Sequence, residues 1–277
     1  MPTRNPRAYS LATVFFLVAA NNLAWGASPF PDKNLEAAVR ADLKLEPKEE
    51  LTDEKLLNLY FLEAPGKEIK DLTGLEKCKN LALINLHKNQ VAELKALKDL
   101  ANVQSLDLSN NAIKDLTPLA GLKGLQYLEI SGNKIESLAP LKGLVNLTSL
   151  YLAGNAVKDL TPLEPLVKLA SLSAGKNQIK DIKVLEKVTR IGVLDLSDNQ
   201  IADASPLAKQ TELRILMIQR NQIKDLAPFV AAAKADAAGP KRYAPYLRLY
   251  IEGNPLSDAA KKSQLGALKD LGARIER

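Results

Sequence analysis

The chain has 277 residues, of which 46% are hydrophobic, 25% are charged and 5% are aromatic. With one Cys and one His, it has too few of these residues for a disulfide framework or for a zinc site built from Cys and His. So apolar a composition also excludes intrinsic disorder, and the net charge of +6 favours nucleic acid or an anionic surface only where the basic residues cluster.

Residues 1–26 are predicted to be a secretory signal peptide. Two arginines precede an apolar segment at 11–20, and the small residues Ala24 and Gly26 favour cleavage before Ala27. The apolar segment is too short to span a bilayer comfortably, and no second one follows it. We therefore expect a protein that is secreted or periplasmic after cleavage near Gly26-Ala27, with no stable membrane anchor.

Residues 27–58 are predicted to form a helical N-terminal cap, which a solenoid needs because its end coils expose core. Leu35, Val39 and Leu43 recur every four residues and therefore share one face of a helix. Thr52 begins a second short helix, whose first turn carries acidic residues.

Residues 59–256 contain about nine repeats with a period of 22 residues, and a period of this length indicates a solenoid. Each repeat keeps the LxxLxLxxN spacing of leucine-rich repeats, as Leu106, Leu108 and Asn111 illustrate. The first repeat is degenerate, and an insertion of 11 residues near 230–243 lengthens a late one. The fold class is therefore an α/β solenoid: an arc or horseshoe with a parallel sheet on its concave side, short 3-10 turns on its convex side and helical caps at both ends.

One asparagine ends each predicted strand, where its amide can bond backbone groups inside the turn and form a structural ladder. This ladder is predicted to comprise Asn89, Asn111, Asn133, Asn155, Asn177, Asn199, Asn221 and Asn254. Residues 257–277 are predicted to be a C-terminal cap. Ser257 begins its helix, which carries leucines at 265, 268 and 271 and ends at Gly272, and a last strand follows at 273–275.

The motif Phe30-Pro31-Asp32, together with Asp71-Leu72-Thr73-Gly74-Leu75, resembles the N-terminal cap and first repeat of bacterial internalin-like proteins. The Asp-Leu-Thr-Pro-Leu segments of later repeats are similar to internalins and also to the phosphatase-regulator class of leucine-rich repeats. The resemblance to internalins implies a concave face that holds a protein ligand.

The side chains that alternate outward from the strands give the inner face five acidic residues and one basic residue. The candidate ligand-binding residues on this face are Phe61, Leu83, His87, Asp107, Tyr127, Glu129, Tyr151, Asp195, Met217, Arg248 and Tyr250. A first cluster joins Asp107, Tyr127, Glu129 and Tyr151. A second cluster comprises Val193, Ile215, Met217 and Tyr250 beside Arg248, and the insertion either packs beside it or forms a neutral loop.

Both clusters have an alternative explanation, since tyrosine and aliphatic residues favour strands whether or not they bind a ligand. Catalysis, metal binding and cofactors are not predicted. Asp107 and Glu129 could form a carboxylate pair, but an open sheet gives them no enclosed pocket. His87 is expected to be a surface residue with no Ser or Cys nucleophile in a matching arrangement, and Cys78, at a core position, is expected to be a buried and inert thiol.

The sequence therefore predicts an exported, monomeric, non-enzymatic module that binds a protein ligand through its concave face. An acidic face favours a basic ligand. Nucleic acid is not expected, because no basic stripe meets aromatic residues on which bases could stack. The alternatives are a structural scaffold of the envelope without a concave ligand and, if the chain is not exported, a phosphatase-regulator-type repeat protein.

Overall fold

A computed structural model describes residues 28–239 and 242–276, and the predicted signal peptide lies outside them. Within these ranges ten strands form one parallel sheet, in which each strand pairs with the next in chain order. The predicted leucine-rich-repeat solenoid is therefore confirmed. The strands are β1 (Phe61–Glu63), β2 (Leu83–Asn85), β3 (Ser105–Asp107), β4 (Tyr127–Glu129), β5 (Ser149–Tyr151), β6 (Ser171–Ser173), β7 (Val193–Asp195), β8 (Ile215–Met217), β9 (Arg248–Tyr250) and β10 (Arg274–Glu276).

The register of the sheet stacks equal positions of successive repeats. Leu62 pairs with Ile84, and Leu106 pairs with Leu128, so the middle residue of each strand stacks in the core on the middle residue of the next strand. The first and third residues of each strand point to the opposite, inner face because successive side chains alternate. A residue type that recurs in the sequence therefore becomes a row across the sheet.

The N-terminal cap consists of α1 (Lys33–Asp42) and α2 (Asp53–Leu56). The Asp32 side chain begins α1 by accepting hydrogen bonds from the backbone N–H groups of Asn34 and Leu35. Its other carboxylate oxygen accepts from the N–H groups of Lys70 and Asp71, which ties the cap to the first repeat. Phe30 is buried against Gly74, where a Cβ would lie 2.6 Å from the Phe30 ring. The Phe-Pro-Asp motif thus joins the cap to the solenoid.

The convex side consists of 3-10 turns, each begun by an acidic or hydroxyl side chain in most repeats. Asp115 Oδ1 accepts from the Thr117 N–H at 2.8 Å, and Asp159 makes the same bond to Thr161. These turns are Leu75–Lys77, Lys95–Leu97, Thr117–Gly121, Ala139–Gly143, Thr161–Leu163, Lys183–Glu186 and Ser205–Lys209, and one further 3-10 turn, Ala244–Tyr246, leads into β9.

The asparagine side chains bond each coil to the one before it. Asn133 Oδ1 accepts from the Ile113 N–H at 3.0 Å, and its Nδ2 donates to the carbonyl oxygens of Leu108 and Ile130, both at 3.0 Å. The other seven asparagines of the row make equivalent bonds. These amides pair backbone groups that would otherwise be buried without partners.

A second asparagine row, which the sequence interpretation missed, lies just before the strands. Asn80, Asn102 and Asn146 each donate to a carbonyl oxygen of the preceding coil. Their spacing of 22 and 44 residues is the signal that could have revealed them.

The hydrophobic core is continuous from Phe30 to Ala273. Cys78 is fully buried within it, and this burial raises the pKa of its thiol to about 12. A chain beginning at residue 28 keeps both caps and every residue of this core in the described ranges. No helix in the described ranges is both long enough and apolar enough to cross a membrane.

The insertion forms a helix on the convex side. This helix, α3 (Ala227–Ala237), starts at the position where other repeats begin a 3-10 turn, earlier than the alanine-rich segment 231–238 suggests. It packs against the turn Ser205–Lys209 and not beside the second cluster. Asp236 accepts from the backbone N–H groups of Arg242 and Tyr243, which returns the chain to the sheet.

The C-terminal cap follows β9. The Ser257 hydroxyl accepts from the Ala260 N–H, one turn of π-helix spans Ala260–Gln264, and α4 (Leu265–Asp270) continues it. Leu268 is buried, whereas Leu265 and Leu271 are half-buried against the core. Gly272, with φ of 101°, ends the helix before β10.

Candidate ligand-binding face

The candidate site is the inner face of the sheet, where three rows of side chains run across the strands. The first residue of each strand forms the first row, the third residue forms the middle row, and the residue two positions later forms the last row. Neighbouring strands lie about 4.8 Å apart, and neighbouring rows about 6.7 Å apart. The sheet therefore holds these side chains on a fixed grid.

The first cluster is a close group at the centre of the N-terminal half. The ring centroids of Tyr127 and Tyr151 lie 5.5 Å apart, with the ring planes inclined by 45°. Glu129 pairs in register with Asp107 on one side and with Tyr151 on the other. Partial burial, and then the negative charges of Glu129 and Asp107, raise the pKa of the Tyr127 hydroxyl. The structure thus brings together all four residues of the predicted cluster.

The acidic side chains of the middle row are held by local hydrogen bonds. Asp107 Oδ1 accepts from the backbone N–H and the hydroxyl of Ser109, at 2.9 and 2.6 Å. Asp195 makes the same pair of bonds with Ser197, at 2.9 and 2.6 Å. Glu129 Oε1 accepts from the Ser131 N–H at 2.8 Å. These bonds form where the chain leaves each strand, so the carboxylates are positioned before any ligand arrives.

His87, which is expected to be a surface residue without a matching nucleophile, has a serine beside it. It is half-buried, and its Nδ1 lies 2.7 Å from the hydroxyl of Ser109, which in turn donates to Asp107. The serine lies there because neighbouring coils stack Ser109 against His87. In a catalytic triad the imidazole lies between the acid and the serine. Here the serine lies between the acid and the imidazole, and Ser109 is itself buried, so this order does not activate a nucleophile.

The remaining candidate residues form separate groups. Phe61 and Leu83 are neighbours in the first row at the N-terminal end, and Phe61 is 61% exposed. In the second cluster Met217 pairs in register with Tyr250, and Ile215 pairs with Arg248. Asp195 pairs with Met217 and therefore belongs to that end of the face. The serines of β6 separate the two clusters.

The face is open and predominantly polar between its apolar groups. Its middle row carries Glu63, Asp107, Glu129 and Asp195, and Asn85 Nδ2 donates to Glu63 at 2.7 Å. Across residues 28–239 and 242–276, no group of three or more His, Cys, Asp or Glu side chains could hold a metal ion. What this arrangement offers chemically is a rigid contact surface with aromatic groups and negative charge.

Comparison with known proteins identifies the repeat family. The model for leucine-rich repeats in two copies matches residues 101–143, which contain β3, β4 and the turns around them. No curated protein matches the chain.

Solved structures extend the likeness over most of the chain. Internalin C2 from Listeria monocytogenes is 29% identical in sequence and superposes with a TM-score of 0.72. The alignment covers 83% of this chain and 95% of the internalin C2 chain. A leucine-rich-repeat protein of Leptospira interrogans, 21% identical with a TM-score of 0.70, shares the fold over 81% of this chain and 57% of its own. The plant peptide hormone receptor RGFR1 in complex with RGF2, 17% identical with a TM-score of 0.55, shares the fold over 65% of this chain and 30% of its own.

The fold that these structures share is typical of modules for protein–protein interaction. The internalin-like cap motif, the 22-residue repeats and the superposition on internalin C2 agree with one another. The chain is an internalin-like leucine-rich-repeat protein.

Proposed function

We propose that this protein is an exported, non-enzymatic module that binds a protein ligand on its concave face through Tyr127, Tyr151 and the acidic residues beside them. The observation that carries the proposal is the contact between these two tyrosines on a face with five acidic side chains and one basic side chain. The protein acts as a monomer after cleavage near Gly26-Ala27, and Phe61, Leu83, His87, Asp195, Met217, Arg248 and Tyr250 extend the contact surface.

The tyrosines have the properties of an interface anchor. Exposed aromatic side chains contribute strongly to binding because they bury a large area and lose little conformational entropy. Tyr127 and Tyr151 are half-buried and held on neighbouring strands, so their orientation is set before binding. Preorganisation of this kind reduces the entropic cost of association.

The charge of the face determines the class of partner. Asp107 and Glu129 flank the tyrosines, so a partner with Lys or Arg near its own apolar contact fits this surface. Complementary charge accelerates encounter at low ionic strength. We therefore expect a basic ligand whose association rate falls as salt is added.

The test uses a chain beginning at residue 28, immobilised and panned against a library of displayed peptides and protein domains. Selected binders are measured with wild type, with Tyr127→Ala/Tyr151→Ala, and with the matched control Tyr60→Ala/Tyr246→Ala, whose tyrosines are exposed outside the inner face. Truncating the first pair is expected to weaken binding at least about 30-fold, and truncating the control pair to leave it unchanged. Unchanged binding by Tyr127→Ala/Tyr151→Ala would exclude the concave site.

Export has its own test. When a reporter is fused to the full chain, we expect the reporter to be active outside the cytoplasm and the fusion protein to lose residues 1–26. A reporter that stays in the cytoplasm would overturn the export proposal and favour the phosphatase-regulator alternative.

A further inference from the structure

Most of the large apolar side chains that are exposed in the described part of the chain lie along one edge of the sheet. The four residues before each strand form this edge, because all strands are parallel and in register; we call it the strand-entry edge. Seven large apolar side chains are exposed in the described ranges, and two of them, Phe61 and Val193, are on the inner face. The other five lie on the strand-entry edge: Leu57, Tyr60, Val145, Val167 and Tyr246.

Cationic side chains occupy the same edge. Along the ten segments that lead into β1 to β10, five basic residues accompany two acidic residues, Glu212 and Asp270. The basic residues are Lys79, Lys123, Lys168, Arg190 and Arg214, and none of them forms an ion pair with an acid of the described ranges. Glu212 lies 3.9 Å from Arg242.

This edge differs in charge from the other surfaces. The inner face is acidic, and on the opposite edge five lysines at one repeat position each precede an aspartate in the sequence, as in Lys114-Asp115, Lys158-Asp159 and Lys180-Asp181. The strand-entry edge therefore carries a net positive charge, whereas the inner face is acidic and the opposite edge carries both signs. Segregation of this kind produces an electrostatic potential that attracts a polyanion to that edge.

The geometry fits a flat anionic surface. From β2 to β8 the five cations extend along a line of about 29 Å, at about 4.8 Å for each strand. The exposed Val145 and Val167 lie between Lys123 and Lys168, and the Arg214 guanidinium lies 5.3 Å from the Tyr246 ring centre. Basic residues attract anionic headgroups, while Tyr and aliphatic side chains enter the membrane interface.

We propose that the strand-entry edge docks reversibly on an anionic lipid surface. Nucleic acid fits less well, because unpaired bases need aromatic platforms along the charged row, and the exposed aromatics of this edge, Tyr60 and Tyr246, lie at its opposite ends. Docking by this edge leaves the inner face open, so the lipid contact and the concave ligand are independent of each other.

The test measures co-sedimentation of a chain beginning at residue 28 with vesicles of phosphatidylcholine, alone or mixed with phosphatidylglycerol. Wild type is expected to bind only the mixed vesicles, and to be released as salt is added. Lys123→Glu/Lys168→Glu/Arg190→Glu is expected to lower partitioning at least about tenfold. The matched control, Lys114→Glu/Lys158→Glu/Lys180→Glu, makes the same change in net charge on the opposite edge and is expected to retain most of the binding.

A further double variant distinguishes binding to a lipid surface from binding to a soluble polyanion. Val145→Ser/Val167→Ser leaves the charge unchanged and is expected to weaken vesicle binding but not retention by dextran sulfate. Absence of binding to the mixed vesicles, or equal loss of binding in the two charge-reversal variants, overturns the proposal. Equal vesicle binding by the valine variant and wild type overturns the lipid assignment in favour of a general polyanion. Circular dichroism confirms that each variant is folded.

Discussion

The rings of Tyr127 and Tyr151 meet diagonally across two strands, with their centroids 5.5 Å apart. Tyr127 begins β4 and Tyr151 ends β5, so the two side chains start from different rows and lean toward each other. Directly beside them Asp107 and Glu129 pair in register on β3 and β4. Two phenol groups are thus held next to two carboxylates, and this proximity can be measured.

Tyr127 is expected to ionise at a higher pH than an unperturbed tyrosine, whose pKa is about 10, because burial and the charges of Glu129 and Asp107 oppose a phenolate there. In Asp107→Asn/Glu129→Gln the pKa should fall but stay above its usual value, since burial remains. Ultraviolet difference spectra of wild type and Tyr127→Phe assign the titration to this residue. A pKa unchanged by removal of both charges would contradict the proposed arrangement.

The asparagine ladder predicts a large loss of stability on truncation. Asn133→Ala removes the partners of three buried backbone groups, those of Ile113, Leu108 and Ile130. Each buried group left unpaired costs about 1 to 3 kcal/mol, so we expect a loss of about 3 kcal/mol or more in the free energy of unfolding. Urea unfolding followed by circular dichroism measures it.

The second asparagine row provides the matched control. Asn102 makes one side-chain bond, to the Lys79 carbonyl, and the bond is exposed. Asn102→Ala should therefore cost about 1 kcal/mol or less. Equal losses in Asn102→Ala and Asn133→Ala would mean that the buried carbonyls of the ladder are not the source of its stability.

Cys78 is expected to resist thiol reagents in the folded protein. Its side chain is fully buried, and burial raises the pKa of the thiol to about 12, so almost no thiolate exists near neutral pH. With Ellman's reagent the native protein should react no faster than its core opens, whereas the urea-unfolded chain should react at once. Rapid reaction of the native protein would contradict burial of this residue.

The repeat period made most of the fold predictable. A single interval of 22 residues sets the strands, their register and the asparagine row, because each repeat needs its neighbours to bury its leucines. The insertion was harder to place, since α3 depends on Pro228 starting a turn that the extra residues then lengthen. Periodicity says which residues stack but not which of them bond.

The inner face shows the same limit. The sequence placed Asp107, Tyr127, Glu129 and Tyr151 side by side, and the structure gives them that placement. The sequence did not predict that Ser109 lies between His87 and Asp107, because that contact depends on side-chain rotamers in two coils. The strand-entry edge was overlooked for another reason: its cations lie at three different positions of the repeat and form no column in the sequence.

Asp32 predicts how the N-terminal cap responds to acid. Burial acts to raise the pKa of its carboxyl group, but four backbone hydrogen bonds, from Lys70, Leu35, Asp71 and Asn34, outweigh this and lower it. A lowered folded-state pKa means that the ionised carboxylate stabilises folding above the pKa of the unfolded chain, about 3.9. This stabilisation is lost as the pH falls through the lowered value.

Asp32→Asn tests this contribution. One carboxylate oxygen of Asp32 accepts hydrogen bonds from α1 and the other accepts from the first repeat, whereas an amide has only one oxygen that can accept. We expect the substitution to lower the free energy of unfolding by about 1 to 2 kcal/mol at pH 7, and the difference from wild type to shrink as the pH falls from 7 through the lowered pKa of Asp32. The matched control is Asp99→Asn, at an exposed side chain of the second repeat. A difference that stays constant between these pH values would show that shape, and not the charge of Asp32, joins the cap to the solenoid.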